Sequence, residues 1–76
     1  MATPAIIMVH AEMVASVFSV AVAVGESISA GSTLVILESM KMEIPVLAEV
    51  AGTVVEVLVD VGDVVQEGDA LVRITS

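Results

Sequence analysis

Two stretches of this chain carry the same punctuation: Val24-Gly25-Glu26-Ser27-Ile28-Ser29-Ala30-Gly31 and Val61-Gly62-Asp63-Val64-Val65-Gln66-Glu67-Gly68. Both read Val-Gly-acid-x-(Ile/Val)-x-x-Gly. Glycine supplies the positive φ that a tight turn needs, and an acid beside it tolerates and solvates the turn. The two lie 37 positions apart, and that shift aligns residues 7–37 with 44–74 without a gap, giving twelve identities in 31 positions. A valine-rich composition inflates such a score, but the coincidence of both glycines does not follow from composition. A period this long suggests a solenoid, yet two copies are too few for one. Two copies closing face to face into one pseudo-twofold sandwich or barrel is the better reading, so residues 1–76 are expected to form a single domain.

Each copy reads as strand, strand, turn, short strand, turn, strand. Val14, Phe18, Val20, Val22 and Val24 alternate with small residues in the first copy. In the second, Val55, Val57, Val59 and Val61 alternate with Glu56 and Asp60 among others. The larger apolar set is expected to face the core and the small or acidic set water. Strands are predicted near 5–10, 14–24, 27–29, 33–38, 42–47, 51–60, 64–66 and 70–75. Many short strands joined by glycine turns indicate an all-β sandwich or flattened barrel, and no segment keeps helical spacing. Pro45 cannot donate a ladder hydrogen bond, which puts its strand at a sheet edge or a bulge.

The joint between the copies is Glu38-Ser39-Met40-Lys41-Met42-Glu43, and it holds the only lysine of the chain. By the repeat, Pro4 corresponds to Lys41, and Thr75 and Ser76 correspond to Glu38 and Ser39. Lys41 is therefore expected on a tight hairpin at one pole, with the two chain ends together at the other. With two central residues, the hairpin turn centres on Met40 and Lys41. A type I′ turn there forces positive φ on both, where Asn-Gly is the usual choice. A local rule broken at one conspicuous point is a mark of function.

Composition removes most other chemistries. The chain has no Cys and a formal net charge of −8, with Lys41 and Arg73 its only basic side chains. Phosphate backbones and anionic membrane surfaces are repelled, so neither nucleic acid nor membrane is an expected partner. The acidic charge keeps a 58% hydrophobic chain soluble and complements a basic docking surface. Met1–Ile6 lacks the basic residues of a signal peptide. Between Met13 and Leu37 only Glu26 is charged, but two glycines, five serines and a period-two alternation argue against a membrane span. His10 has no second histidine or Cys partner for zinc, and the acidic turns lack the ligand spacing of a calcium loop, so no metal is expected. No nucleophile elbow, phosphate loop or dinucleotide fingerprint is present, and a sandwich this small offers little cleft for a substrate.

Glu-Ser-Met-Lys-Met-Glu closely resembles the attachment motif of biotinyl domains, in which Met-Lys-Met surrounds the biotin-bearing lysine. The repeated Gly-acid turns are similar to that family's pattern, so the resemblance covers essentially the whole chain. It implies a flattened barrel of two four-stranded antiparallel sheets, with the lysine on an exposed hairpin. It further implies that Lys41 is biotinylated by a biotin protein ligase and shuttles carboxybiotin between a biotin carboxylase and a carboxyltransferase. On this reading the domain is a non-catalytic, cytoplasmic carrier, monomeric when isolated. Met40 and Met42 would give the ligase adaptable apolar contacts, and Glu38, Ser39 and Glu43 are candidates for recognition. Methionine at position 40 separates the motif from lipoyl domains, whose lysine usually follows an acid. A lipoyl-type acyl carrier is the alternative, with an unmodified interaction module behind it. Ser39 stands where the family commonly has alanine. There is no insertion between Val24 and Ile28, so the chain resembles the thumbless members rather than those acetyl-CoA carboxylase carriers that bear a protruding thumb.

Overall fold

The repeat that dominates the sequence is visible in the order of elements. A computed structural model describes residues 5–76 as eight strands: β1 (Ile6–His10), β2 (Ala15–Val20), β3 (Ser27–Ile28), β4 (Thr33–Ser39), β5 (Met42–Leu47), β6 (Gly52–Val57), β7 (Val64–Val65) and β8 (Ala70–Thr75). They form two four-stranded sheets, ordered β1-β8-β6-β3 and β5-β4-β2-β7, and every pairing is antiparallel. The second order is the first advanced by one repeat. The expected all-β sandwich of two four-stranded sheets is what forms. The apolar stretch 13–37 folds as β2, β3 and β4 with their turns, and no helix is long and apolar enough to cross a membrane.

The core is built from repeat-related pairs. Leu34 and Leu71, Val35 and Val72, Val17 and Val54, and Leu37 and Ile74 are all buried, each pair 37 residues apart. Each strand covers one face with these β-branched and Leu side chains, and the two inner faces close on each other. No buried polar or charged side chain interrupts this core among the described residues.

Turns are closed by the acids of the repeated motif and by the residue that follows each motif. Glu26 accepts a hydrogen bond from the Ala23 amide through Oε1 (3.1 Å), and Asp63 accepts one from the Asp60 amide through Oδ2 (2.8 Å). Just after β3 and β7, Ser32 accepts from the Ser29 amide (3.1 Å) and Asp69 from the Gln66 amide (2.9 Å). The motif acid thus does more than solvate: it satisfies an amide that the turn would otherwise leave free. Gly25 and Gly62 adopt φ of 92° and 96°, and a Cβ at either would meet nothing within 4 Å. They are required for backbone conformation alone.

Two expectations need correction. Strands β2 and β6 end at Val20 and Val57 rather than at 24 and 60. Ala21 and Leu58 still donate to Leu34 and Leu71, but the chain then turns at 23–26 and 60–63. The alternation also breaks inside β2. Ala15 and Val17 are buried, whereas Val14 and Val24 are exposed and Phe18 is 47% exposed. The cause is a bulge between Val17 and Ser19, which inserts Phe18 as an extra residue and reverses the phase of the strand. Val20 and Val22 then face inward as expected. An equivalent bulge between Val54 and Glu56 leaves Val55 exposed, whereas Val24 and Val61 are exposed because they lie past the strand ends, in the turns.

The registers also locate the poles. Ile6 pairs with Thr75, and the Ser76 amide donates to Ala5 O (3.0 Å), so the described chain ends adjoin. Ser16 at the start of β2 pairs with Glu38, next to the β4–β5 hairpin. Since β1 delivers the chain toward that end at His10, Ile6 lies at the far end. Pro4, the repeat counterpart of Lys41, lies outside the described residues. Pro45 stands on β5, an edge strand, as its missing amide requires.

Two substitutions test this packing. A Cβ at Gly52 would lie 2.5 Å from Thr75 O and 2.8 Å from Ile74 Cγ2. Gly52→Ala is expected to destabilise by about 1–3 kcal/mol through backbone overpacking, read as a lower urea midpoint at unchanged slope. Leu34→Ala or Leu71→Ala leaves a cavity on one half of the same core and is expected to cost about 2–5 kcal/mol. For a domain of this size that is a large share of the total, so either variant should show a partly unfolded baseline in water.

Candidate functional site

The β4–β5 hairpin is the longest ladder of the second sheet. Its pairs run from Thr33–Leu47 through Leu37–Ile44 and Glu38–Glu43 to Ser39–Met42. Leu37 is buried and Ile44 half-buried beneath it, so the hairpin is anchored one pair below its last rungs. Ser39 and Met42 close the loop, and only Met40 and Lys41 lie between them. Register alone therefore makes this a two-residue turn.

Its backbone is the one the sequence anticipated. Met40 has φ of 53° and Lys41 φ of 65°, the only non-glycine residues with positive φ among those described. For side chains bearing a Cβ this left-handed conformation costs on the order of 1 kcal/mol each. The ladder below holds them there. The result is a convex tip: Met40 is 92% exposed, Met42 is 63% exposed, and Lys41 is exposed between them. Apolar side chains this open are energetically idle in the free domain, because they bury almost nothing.

The six residues singled out from the sequence are thus contiguous on one hairpin. Glu38 and Glu43 lie directly opposite each other and are exposed, and Ser39 is half-buried opposite Met42. Among the described residues the single salt bridge is Arg73 to Glu56 (2.9 Å), so no carboxylate sits within ion-pair distance of the Lys41 ammonium. Two like charges in direct cross-strand register are mildly repulsive, and the amine in the turn beyond the next rung offsets part of that field. No group of three or more His, Cys, Asp or Glu that could hold a metal is present among the described residues. His10 is exposed at the end of β1.

A groove of about 490 Å³ runs between the edge strands β1 and β5. Its lining falls into repeat-related pairs, among them Ile7 with Ile44, Val9 with Val46, Glu12 with Glu49 and Leu37 with Ile74. It therefore lies on the pseudo-twofold axis. Met40, Lys41 and Met42 do not line it. The Lys41 amine and this groove are separate features. Chemically the hairpin offers one primary amine with free access from every side, suited to acylation by an enzyme that encloses it.

Comparison with known proteins gives the same direction. A 40-residue segment, 53% of this chain, is 68% identical to a biotinylated protein TB7.3 homolog of Mycolicibacterium smegmatis. The same length is 62% identical to biotinylated protein TB7.3 of Mycobacterium tuberculosis. The matched segment spans 56%, about half, of the length of those relatives. Among solved structures, a single-chain, multi-domain long-chain acyl-CoA carboxylase superposes with a TM-score of 0.88 at 37% identity, over 99% of this chain and 7% of that one. The urea carboxylase of Kluyveromyces lactis superposes with a TM-score of 0.87 at 30% identity, over 97% of this chain and 6% of that one. The family model Biotin_lipoyl, described as "Biotin-requiring enzyme", matches residues 1–74, and the chain belongs to that family.

Proposed function

We propose that this domain is a biotin carrier and that Lys41 is the residue biotin is attached to. The observation that carries the reading is a Met-Lys-Met tip built on two strained positive-φ residues. Nothing in the fold requires those residue types there, since Asn-Gly would make the same turn at lower cost. The exposed primary amine fits covalent attachment: an amide bond needs only its nitrogen and unobstructed approach. The names of the biotinylated relatives and the two carboxylases support biotin over lipoate, as does methionine rather than an acid at position 40.

Lys41 acts as a nucleophile once. Its Nζ, having given up a proton, attacks the acyl carbon of an activated biotin, the C–N bond forms and the adenylate leaves. Met40 and Met42 supply apolar contact to the ligase, and Glu38, Ser39 and Glu43 form the rim it meets. Afterwards the chain's task is positional. Bound biotin supplies a ureido nitrogen that accepts and releases a carboxyl group. The hairpin holds that group clear of the barrel, where it can enter the sites of a biotin carboxylase and a carboxyltransferase in turn. Tethering makes each encounter effectively intramolecular. On this reading the domain itself is non-catalytic and works in the cytoplasm, alongside the ATP-dependent enzymes that load it.

The decisive measurement is intact mass after coexpression with a biotin protein ligase. A gain of one biotinyl group and capture on avidin are expected, and both should vanish in Lys41→Arg. An unmodified wild-type chain would refute the carrier reading, and modification by a lipoate ligase instead would favour the alternative acyl carrier. A second variant separates strain from recognition. Met40→Asn tolerates the left-handed backbone better and is expected to raise stability by about 0.5–1 kcal/mol, while lowering ligation efficiency. A loss of stability on thermal unfolding, or wild-type ligation, would contradict that assignment.

A further inference from the structure

The two sheets are built from the same repeat, so their outer faces would be alike if only folding had shaped them. They differ at the centre. On the β1-β8-β6-β3 sheet, Glu56, Arg73 and Met8 lie side by side across three strands, and Arg73 bonds Glu56 at 2.9 Å. The repeat-related row on the sheet carrying Lys41 is Ser19, Ile36 and Pro45. Buried Val17, Val35 and Leu37 point the other way, so this row faces outward. Phe18, the only aromatic residue of the chain, is pushed into the open by the bulge beside Ser19 and is 47% exposed. An ion pair on one face is thus replaced by an apolar patch on the other.

The patch leads directly to the hairpin. One row nearer Lys41, on the same face, Glu38 pairs with Glu43, where the other sheet has Thr75 and Ile6. Two facing carboxylates without a cation oppose the ladder they sit on, and a cation brought by a partner would turn that repulsion into attraction. Sheet, acids and amine form one continuous surface.

Given Lys41 as the attachment residue, we propose that this outer face is where the enzyme that acylates Lys41 docks. That enzyme presents an apolar patch to Phe18, Ile36 and Pro45, and Arg or Lys side chains to Glu38 and Glu43. Met40 and Met42 then enter its active site with the amine, while the sheet face supplies most of the buried apolar area. Specific interfaces place apolar and aromatic contacts at the centre and charges toward the rim, which is the order found here.

The test exchanges the faces. Ser19→Glu with Ile36→Arg gives this sheet the pair that the other sheet already accommodates, so the fold is expected to persist by circular dichroism and thermal unfolding. With purified chain, biotin, ATP and a biotin protein ligase, kcat/KM for acylation is expected to fall at least about tenfold, mostly through KM. The mirror variant, Glu56→Ser with Arg73→Ile, should be acylated like the wild type. Glu38→Gln with Glu43→Gln should flatten the decline in wild-type rate between about 50 and about 300 mM salt. If the exchanged variant unfolds, Phe18→Ser is measured in its place, with the same loss expected. A folded variant acylated at the wild-type kcat/KM overturns the proposal. So does a wild-type dimer that the exchange converts to a monomer, since a second copy would then cover the face. A wild-type chain that is never acylated refutes the reading of Lys41 instead, which keeps the two failures distinct.

Discussion

Neither half of this molecule has an inside of its own. Each repeat contributes strands with one apolar face, and the only surface able to cover that face is its counterpart from the other repeat. Leu34 and Leu71, or Val35 and Val72, are fully buried because the copies close on each other. With no disulfide available and a chain of 76 residues, this mutual burial is the main source of stability. The hairpin at one pole depends on it. Met40 and Lys41 keep unfavourable backbone angles because β4, below them, is fixed in the shared core through Leu37.

Much of this was legible in the residues, for identifiable reasons. Glycines 25 and 62 mark turns whose backbone demands them, and the 37-residue shift between them fixes the pairing of elements. The two-residue turn at Met40 and Lys41 followed from the shortness of the joint. The inward and outward assignment of β2 did not follow. Period-two reading assumes an unbroken strand, and the bulge at Phe18 changes phase without any glycine or proline to announce it. The closing role of Ser32 and Asp69 was equally silent, because a serine and an acid at related positions look unlike while performing the same backbone hydrogen bond.

The duplication also divides labour among positions. Where the copies agree, as at the glycines and the core pairs, the residue serves folding, which must be done twice. Where they disagree on the surface, folding has placed no demand, and the difference is open to function. The Glu56–Arg73 pair against Ser19 and Ile36 is such a difference, and the Glu38–Glu43 rung against Ile6 and Thr75 is another. In both, the row without a matched ion pair, Ser19 with Ile36 and Glu38 with Glu43, lies on the sheet that carries the lysine. A symmetric scaffold thereby holds an asymmetric surface at little cost in stability.

The pairing of Ile6 with Thr75 has a mechanical meaning. Polypeptide joined to either end would leave from neighbouring strands, about 5 Å apart. The domain then hangs from what is nearly a single point and turns about it as a rigid rod. The rod is 45 Å long and less than half as wide. A small rotation at such an attachment would become a large displacement at the far tip, so that anything the tip carried would be moved mainly by the folded protein.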